Sequence, residues 1–172
     1  MASRGPLLIN AVMKIQEKLC QLAEIDGFVG AAVLTPNGRI LQKCDPSDID
    51  IELIAFLANN VLRTAEKASR DMGLGRSHLT FMHTEKALVL ARCLNEGHNP
   101  LGAEPGKCHI HLILLIDNPN SFGIARIEIG NVVELLAEDF RLSPNSLQEL
   151  NTSLDNENIT STLDTLLSQN ER

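Results

Sequence analysis

Five residues of the 172-residue chain carry side chains that ligate metals and lie near one another in sequence: Cys93, His98, Cys108, His109 and His111. Thiolates and imidazoles in tetrahedral sets are zinc chemistry. On an extended strand His109 and His111 share a face, while Cys108 points the other way. A tetrahedral site would therefore need ligands from elsewhere, and the sequence alone favours packed or hydrogen-bonded residues, with no metal and no cofactor. Catalytic signatures are missing. There is no Gly-x-x-x-x-Gly-Lys-Ser/Thr phosphate loop and no Gly-x-Ser-x-Gly elbow, and Gly73-Leu74-Gly75 fits a helix C-cap. No catalytic residue is assigned, and the chain is expected not to be an enzyme.

Composition narrows the classes further. A formal net charge of −7 and a pI near 5.2 disfavour nucleic acid and anionic membrane surfaces, both of which select basic patches. Trp and Tyr are absent, so base-stacking platforms are missing as well. No apolar run approaches the ~18 residues that read as a membrane span, and the first residues lack a secretory pattern, so a cytoplasmic protein without integral membrane association is expected. Cys20, Cys44, Cys93 and Cys108 show no close paired spacing, and in a reducing compartment such residues behave as small buried hydrophobes.

The elements that must position these groups follow from periodicity. Leu8, Val12, Ile15, Leu19 and Leu22 recur at helical spacing between about Pro6 and Glu24. Gly27 to Thr35 is apolar on both faces, as a doubly covered strand would be. Asn37-Gly38, two residues that tolerate positive φ, turns it into a weaker strand at Arg39 to Cys44. Asp45-Pro46-Ser47-Asp48 supplies helix-start chemistry. The next helix runs to about Met72 with an apolar arc of roughly 160°, wider than packing on one sheet requires. Glu52, Asn59, Arg63 and Arg70 lie on its opposite face, and among them Phe56 has no evident partner. Strands follow at His78 to His83, Ala87 to Arg92 and His109 to Ile116, with a Gly/Pro-rich loop at Asn95 to Lys107. A helix starting near Asn120-Ser121 places Phe122, Ala125, Ile129, Val132, Val133, Leu136 and Phe140 on one stripe.

Two strands, the first and the fifth, are buried on both faces and belong in the centre. With a hairpin at the start and a meander at the end, the expected fold is α/β of the α+β type. It has a five-stranded antiparallel sheet in the order 2-1-5-4-3, with helices on both faces. This covers residues 1–142 and leaves 143–172 as an acidic amphipathic tail, helical or partly disordered. The third strand becomes a free edge beside the long helix. A free edge and an exposed aromatic on adjacent elements suggest a homodimer. Its candidate interface is Ile54, Phe56, Leu57, Val61, Arg63, Leu79 and Phe81.

The chain resembles the Roadblock/LC7 family over roughly residues 7 to 141. Ile25-Asp26-Gly27-Phe28-Val29-Gly30-Ala31-Ala32-Val33-Leu34 with Asn37-Gly38-Arg39-Ile40 is similar to the family's opening helix-to-strand passage. Leu112-Ile113-Leu114-Leu115-Ile116-Asp117 leading to Phe122-Gly123-Ile124-Ala125-Arg126 is similar to its closing one. The resemblance implies a dimeric, non-enzymatic platform whose central helices and sheet edges pair, and which binds a Ras-like small GTPase as activator or scaffold. The long Asn95 to Lys107 loop and the tail depart from the family pattern. Arg39, Arg63, Arg70 and Arg76 lie nearest the proposed interface, where an arginine offered in trans could stabilise phosphoryl-transfer charge; surface arginines are more often solvated or paired. The alternatives are a PAS- or GAF-like small-molecule sensing domain, which would enclose an apolar pocket, and a dynein-light-chain-like adaptor.

Overall fold

The structure, a computed structural model, describes residues 14–99, 102, 104 and 106–142. The expected tail at 143–172, and Leu8 and Val12 of the first stripe, lie outside the described residues. Helix α1 occupies residues 14–21 of the described chain and passes into a 3-10 turn, Leu22–Glu24. Strands β1 (Phe28–Leu34) and β2 (Ile40–Cys44) follow, then helix α2 (Ile51–Asp71). Strands β3 (Leu79–His83), β4 (Leu88–Asn95) and β5 (His109–Ile116) lead into helix α3 (Phe122–Leu142).

The five strands form one antiparallel sheet in the order β2-β1-β5-β4-β3, as the burial pattern predicts. β5 is buried at every position and β1 at all but its first, because both are covered on both faces. One face packs Ala31, Val33, Leu90, Ile110, Leu112 and Leu114 against Ile15, Leu19 and Leu22 and against Ala125, Ile129, Val133 and Leu136 of α3. The other packs Ala32, Leu34, Ala91, Ile113 and Leu115 against Ile51, Ala55, Ala58 and Leu62 of α2. Across the first face, Lys18 Nζ donates to the Leu135 carbonyl (2.8 Å) and pairs with Asp139, joining α1 to α3.

Three local details differ from the sequence expectations. The β1–β2 turn is built on Thr35-Pro36-Asn37-Gly38, and only Gly38 of the four is left-handed (φ 91°), since no non-glycine among the described residues has positive φ. Gly38 N–H donates to the Thr35 carbonyl (2.9 Å), so Pro36 and Asn37 take the central positions, Pro36 with the φ of an ordinary type I turn, and Asn37 does not use the positive φ it tolerates. The N-cap of α2 is Asp50, whose side chain accepts from Leu53 N–H (3.0 Å). Ser47, one of the expected cap residues, instead donates its hydroxyl to the Val29 carbonyl (2.9 Å), pinning the approach to α2 against β1. β4 extends to Asn95, three residues beyond the expected Arg92, because β5 continues to pair with it.

At the other end of α2, Gly73 takes φ 71° while Gly73 N–H and Leu74 N–H donate back to the Arg70 and Ser69 carbonyls. That is the glycine C-cap expected from sequence.

Candidate functional site: the outer face of α2 and the polar cluster beneath it

The 160° arc of α2 splits in two. Ile51, Ala55, Ala58 and Leu62 face the sheet. Leu53 (55% exposed), Leu57 (54%) and Val61 (39%), spaced i, i+4 and i+8, form an apolar stripe open to solvent, with Ile54 half-buried at its margin. Large apolar side chains on consecutive turns are the mark of an unfilled contact surface rather than of isolated exposed residues. Phe56 is 47% exposed and rests on the β1–β2 turn: a Cβ at Gly38 would stand 3.2 Å from its ring. It has the intramolecular neighbour that the sequence did not reveal.

The remaining interface candidates divide between the two faces of the sheet. Leu79 packs, half-buried, against the α3-facing core. Phe81 is 54% exposed on the free edge β3, with its ring centroid 5.0 Å from that of Phe122 at the start of α3. Arg63 on α2 is half-buried, and its Nε has no hydrogen-bond partner among the described residues. Thus Ile54, Leu57 and Val61 share one surface, Phe56 adjoins it above the hairpin, and Leu79 and Phe81 lie on the edge strand β3, on the opposite side of the sheet.

Of the other arginines, Arg70 donates to Glu66 (3.1 Å). Arg76 donates to the carbonyls of Asn95 (3.0 Å) and Gly97 (2.6 Å), where it holds the β4–β5 loop rather than projecting from the surface.

Beneath α2 the sheet carries a buried polar cluster. Register places Cys93 of β4 directly opposite His111 of β5, and His109 lies two residues away on the same face. Asn59, placed on the solvent face by periodicity, is fully buried and reaches this cluster from α2. Its Nδ2 donates to the Pro36 carbonyl (3.4 Å), which leaves Oδ1 to accept from His111 Nδ1 (2.5 Å). His109 Nδ1 donates to the Gly102 carbonyl (3.0 Å). The two Nε2 atoms then face each other at 3.1 Å, with Cys93 Sγ 3.7 Å from His109 Nε2.

Burial lowers the pKa of both imidazoles, that of His111 to about 3 with the charges of His109 and Arg63 adding to the effect. Burial likewise pushes the Cys93 thiol up to about 12, with Glu66 reinforcing and Arg76 and Arg92 opposing the shift. Glu66 itself is buried on α2 and accepts from Ser77 N–H (2.6 Å) as well as from Arg70.

Asn59 and Glu66 are the residues that sequence reasoning missed. Their signal was available: both fall on the helical stripe of Ile51, Ala55 and Leu62, and polar residues there require buried partners. The other candidate ligands stand apart. Cys108 is buried in the opposite core, and the side chain of His98 is 97% exposed beside Glu104. Cys20 is exposed and Cys44 half-buried, contrary to the expectation for all four cysteines; their sulfurs are 3.0 Å apart, and burial followed by the Cys20 hydrogen bond raises the Cys44 pKa to about 12.

A five-stranded antiparallel sheet in this order, covered by one long helix on one face and two helices on the other, defines a Roadblock/LC7-like fold. The structural comparisons agree. Myxococcus xanthus MglB superposes with a TM-score of 0.60 at 16% identity, over 74% of this chain and 94% of that one. The Roadblock/LC7 domain from Streptomyces avermitilis superposes with a TM-score of 0.55 at 12% identity, over 70% and 92%. In sequence the chain is 23% identical over 126 residues to the uncharacterized protein MJ1340 of Methanocaldococcus jannaschii, a span of 73% of this chain and 99% of the relative. No protein-family model matches the chain.

Proposed function

We propose that the chain is a member of the Roadblock/LC7 family that acts as a non-enzymatic homodimeric scaffold and binds a Ras-like small GTPase, as activator or adaptor. The observation that carries the proposal is the exposed stripe Leu53-Leu57-Val61 on α2, beside a sheet that ends in the unpaired edge β3. A second copy placed about a two-fold axis covers the stripe with an identical one, so each contact is made twice. Fully burying a Leu or Val side chain gains about 1.5–3 kcal/mol; these are already roughly half-covered, so each contributes about half of that on pairing. Among the described residues no helix is long and apolar enough to cross a membrane.

The partner is tested by calorimetry with Ras-like small GTPases of the same organism, loaded with GDP or with a non-hydrolysable GTP analogue. The expected result is binding at micromolar affinity to one nucleotide state, weakened at least about tenfold by Phe56→Asp, the size of effect typical of a central aromatic contact. No binding to either state, together with unaltered nucleotide turnover, contradicts the regulatory role.

A further inference from the structure

We propose that Cys93, His109 and His111, on the adjacent strands β4 and β5, form a zinc site beneath α2. The three ligand atoms lie within 4.8 Å of one another, and all three residues are buried. Zinc binds thiolate sulfur at about 2.3 Å and imidazole nitrogen at about 2.0–2.1 Å, so tetrahedral ligands stand about 3.3 Å apart for two nitrogens and about 3.6 Å for sulfur and nitrogen. The Nε2–Nε2 distance of 3.1 Å and the Cys93 Sγ–His109 Nε2 distance of 3.7 Å are close to this spacing, and the Cys93–His111 pair lies within 4.8 Å.

The hydrogen bonds around the rings make the case more specific. A carbonyl oxygen can only accept, so His109 Nδ1 and His111 Nδ1 must each carry the proton that they give to Gly102 O and Asn59 Oδ1. On a neutral ring this leaves a lone pair on each Nε2; the Cys93 thiol proton is within reach of His109 Nε2, while His111 Nε2 faces the other nitrogen with no proton of its own. Two facing acceptors repel, and a cation between them turns that repulsion into ligation. Imidazoles that ligate through one nitrogen while the other donates to an oxygen are the usual arrangement in metal sites. Glu66, buried on α2 and paired with Arg70, acts on Cys93 and His109 in the direction that favours a cation, while Arg63, Arg76 and Arg92 act against it. Three protein ligands leave the fourth tetrahedral position for water.

The test is metal analysis of the full chain purified without chelators or immobilised metal. About one zinc per chain is expected in the wild type. After stripping, Co²⁺ should restore a thiolate charge-transfer band and the d–d bands of a tetrahedral ion. Cys93→Ser and His109→Gln should each lower zinc affinity at least about tenfold, the scale of effect of disturbing even outer-sphere partners. Cys108→Ser and Cys20→Ser should leave it unchanged. Wild-type protein that binds neither Zn²⁺ nor Co²⁺ at micromolar concentration overturns the proposal, as does zinc retained in a folded Cys93→Ser variant or loading by copper alone. Should Cys93→Ser fail to fold, the cobalt spectrum of the wild type decides.

Discussion

Two glycines show how single residues shape the fold. Gly27 has φ 80°, and an added Cβ would stand 2.6 Å from the Asn118 backbone nitrogen; its own carbonyl accepts from Asp117 N–H (2.8 Å), closing β1 onto the end of β5. Gly38 also has positive φ, but there the nearest obstacle is the half-exposed ring of Phe56, which can shift. Gly27→Ala is therefore expected to cost about 2–5 kcal/mol, from left-handed strain plus a rigid clash, and Gly38→Ala about 1–2 kcal/mol, from strain alone. Urea unfolding of the two variants checks the order; equal losses would contradict it. A turn glycine is legible in sequence where its neighbour marks the turn, as at Asn37-Gly38, whereas Gly27 reads as the start of the first strand. What a missing Cβ makes room for is not legible, because Asn118 approaches Gly27 only after the sheet has closed.

Among the elements, α2 divides most clearly into what periodicity shows and what it does not. The width of the apolar arc indicated that the helix had more to bury than one sheet could take. It could not say which half faced inward. That choice follows from Asn59 and Glu66, which bring the polar side of the arc under cover because His111, the Pro36 carbonyl and Ser77 N–H await them. The register of β4 on β5 was hidden for a similar reason: a loop as long as 96–107 does not set pairing, so the approach of Cys93 to His111 came only from the folded sheet. The division of α2 makes a stability prediction. Leu62→Ala, on the buried half, is expected to cost about 2–5 kcal/mol. Leu57→Asp, on the outer half, should leave the stability of the folded monomer within about 0.5 kcal/mol. Chemical denaturation at low protein concentration separates them; a large loss for Leu57→Asp would place that side chain in the core.

At the scale of the whole molecule, the sheet order was legible because two strands had to be buried on both faces, and central strands leave few ways to connect the rest. Helix placement followed, with α2 alone on one face and α1 with α3 on the other. Assembly was legible only as an expectation, since it depends on surfaces that a single chain does not fill. The buried polar cluster and the open stripe lie on opposite sides of the same helix, so whatever braces α2 from beneath also sets the shape of the surface that it presents. Sedimentation equilibrium of the wild type and of Leu57→Asp at micromolar concentration tests the central claim most directly. A wild-type mass of about 38 kDa is expected, twice the 18.8 kDa chain, and the mass of one chain for the variant. A wild-type mass of 18.8 kDa, or a dimer indifferent to Leu57→Asp, would contradict the assignment of this stripe as the self-association surface.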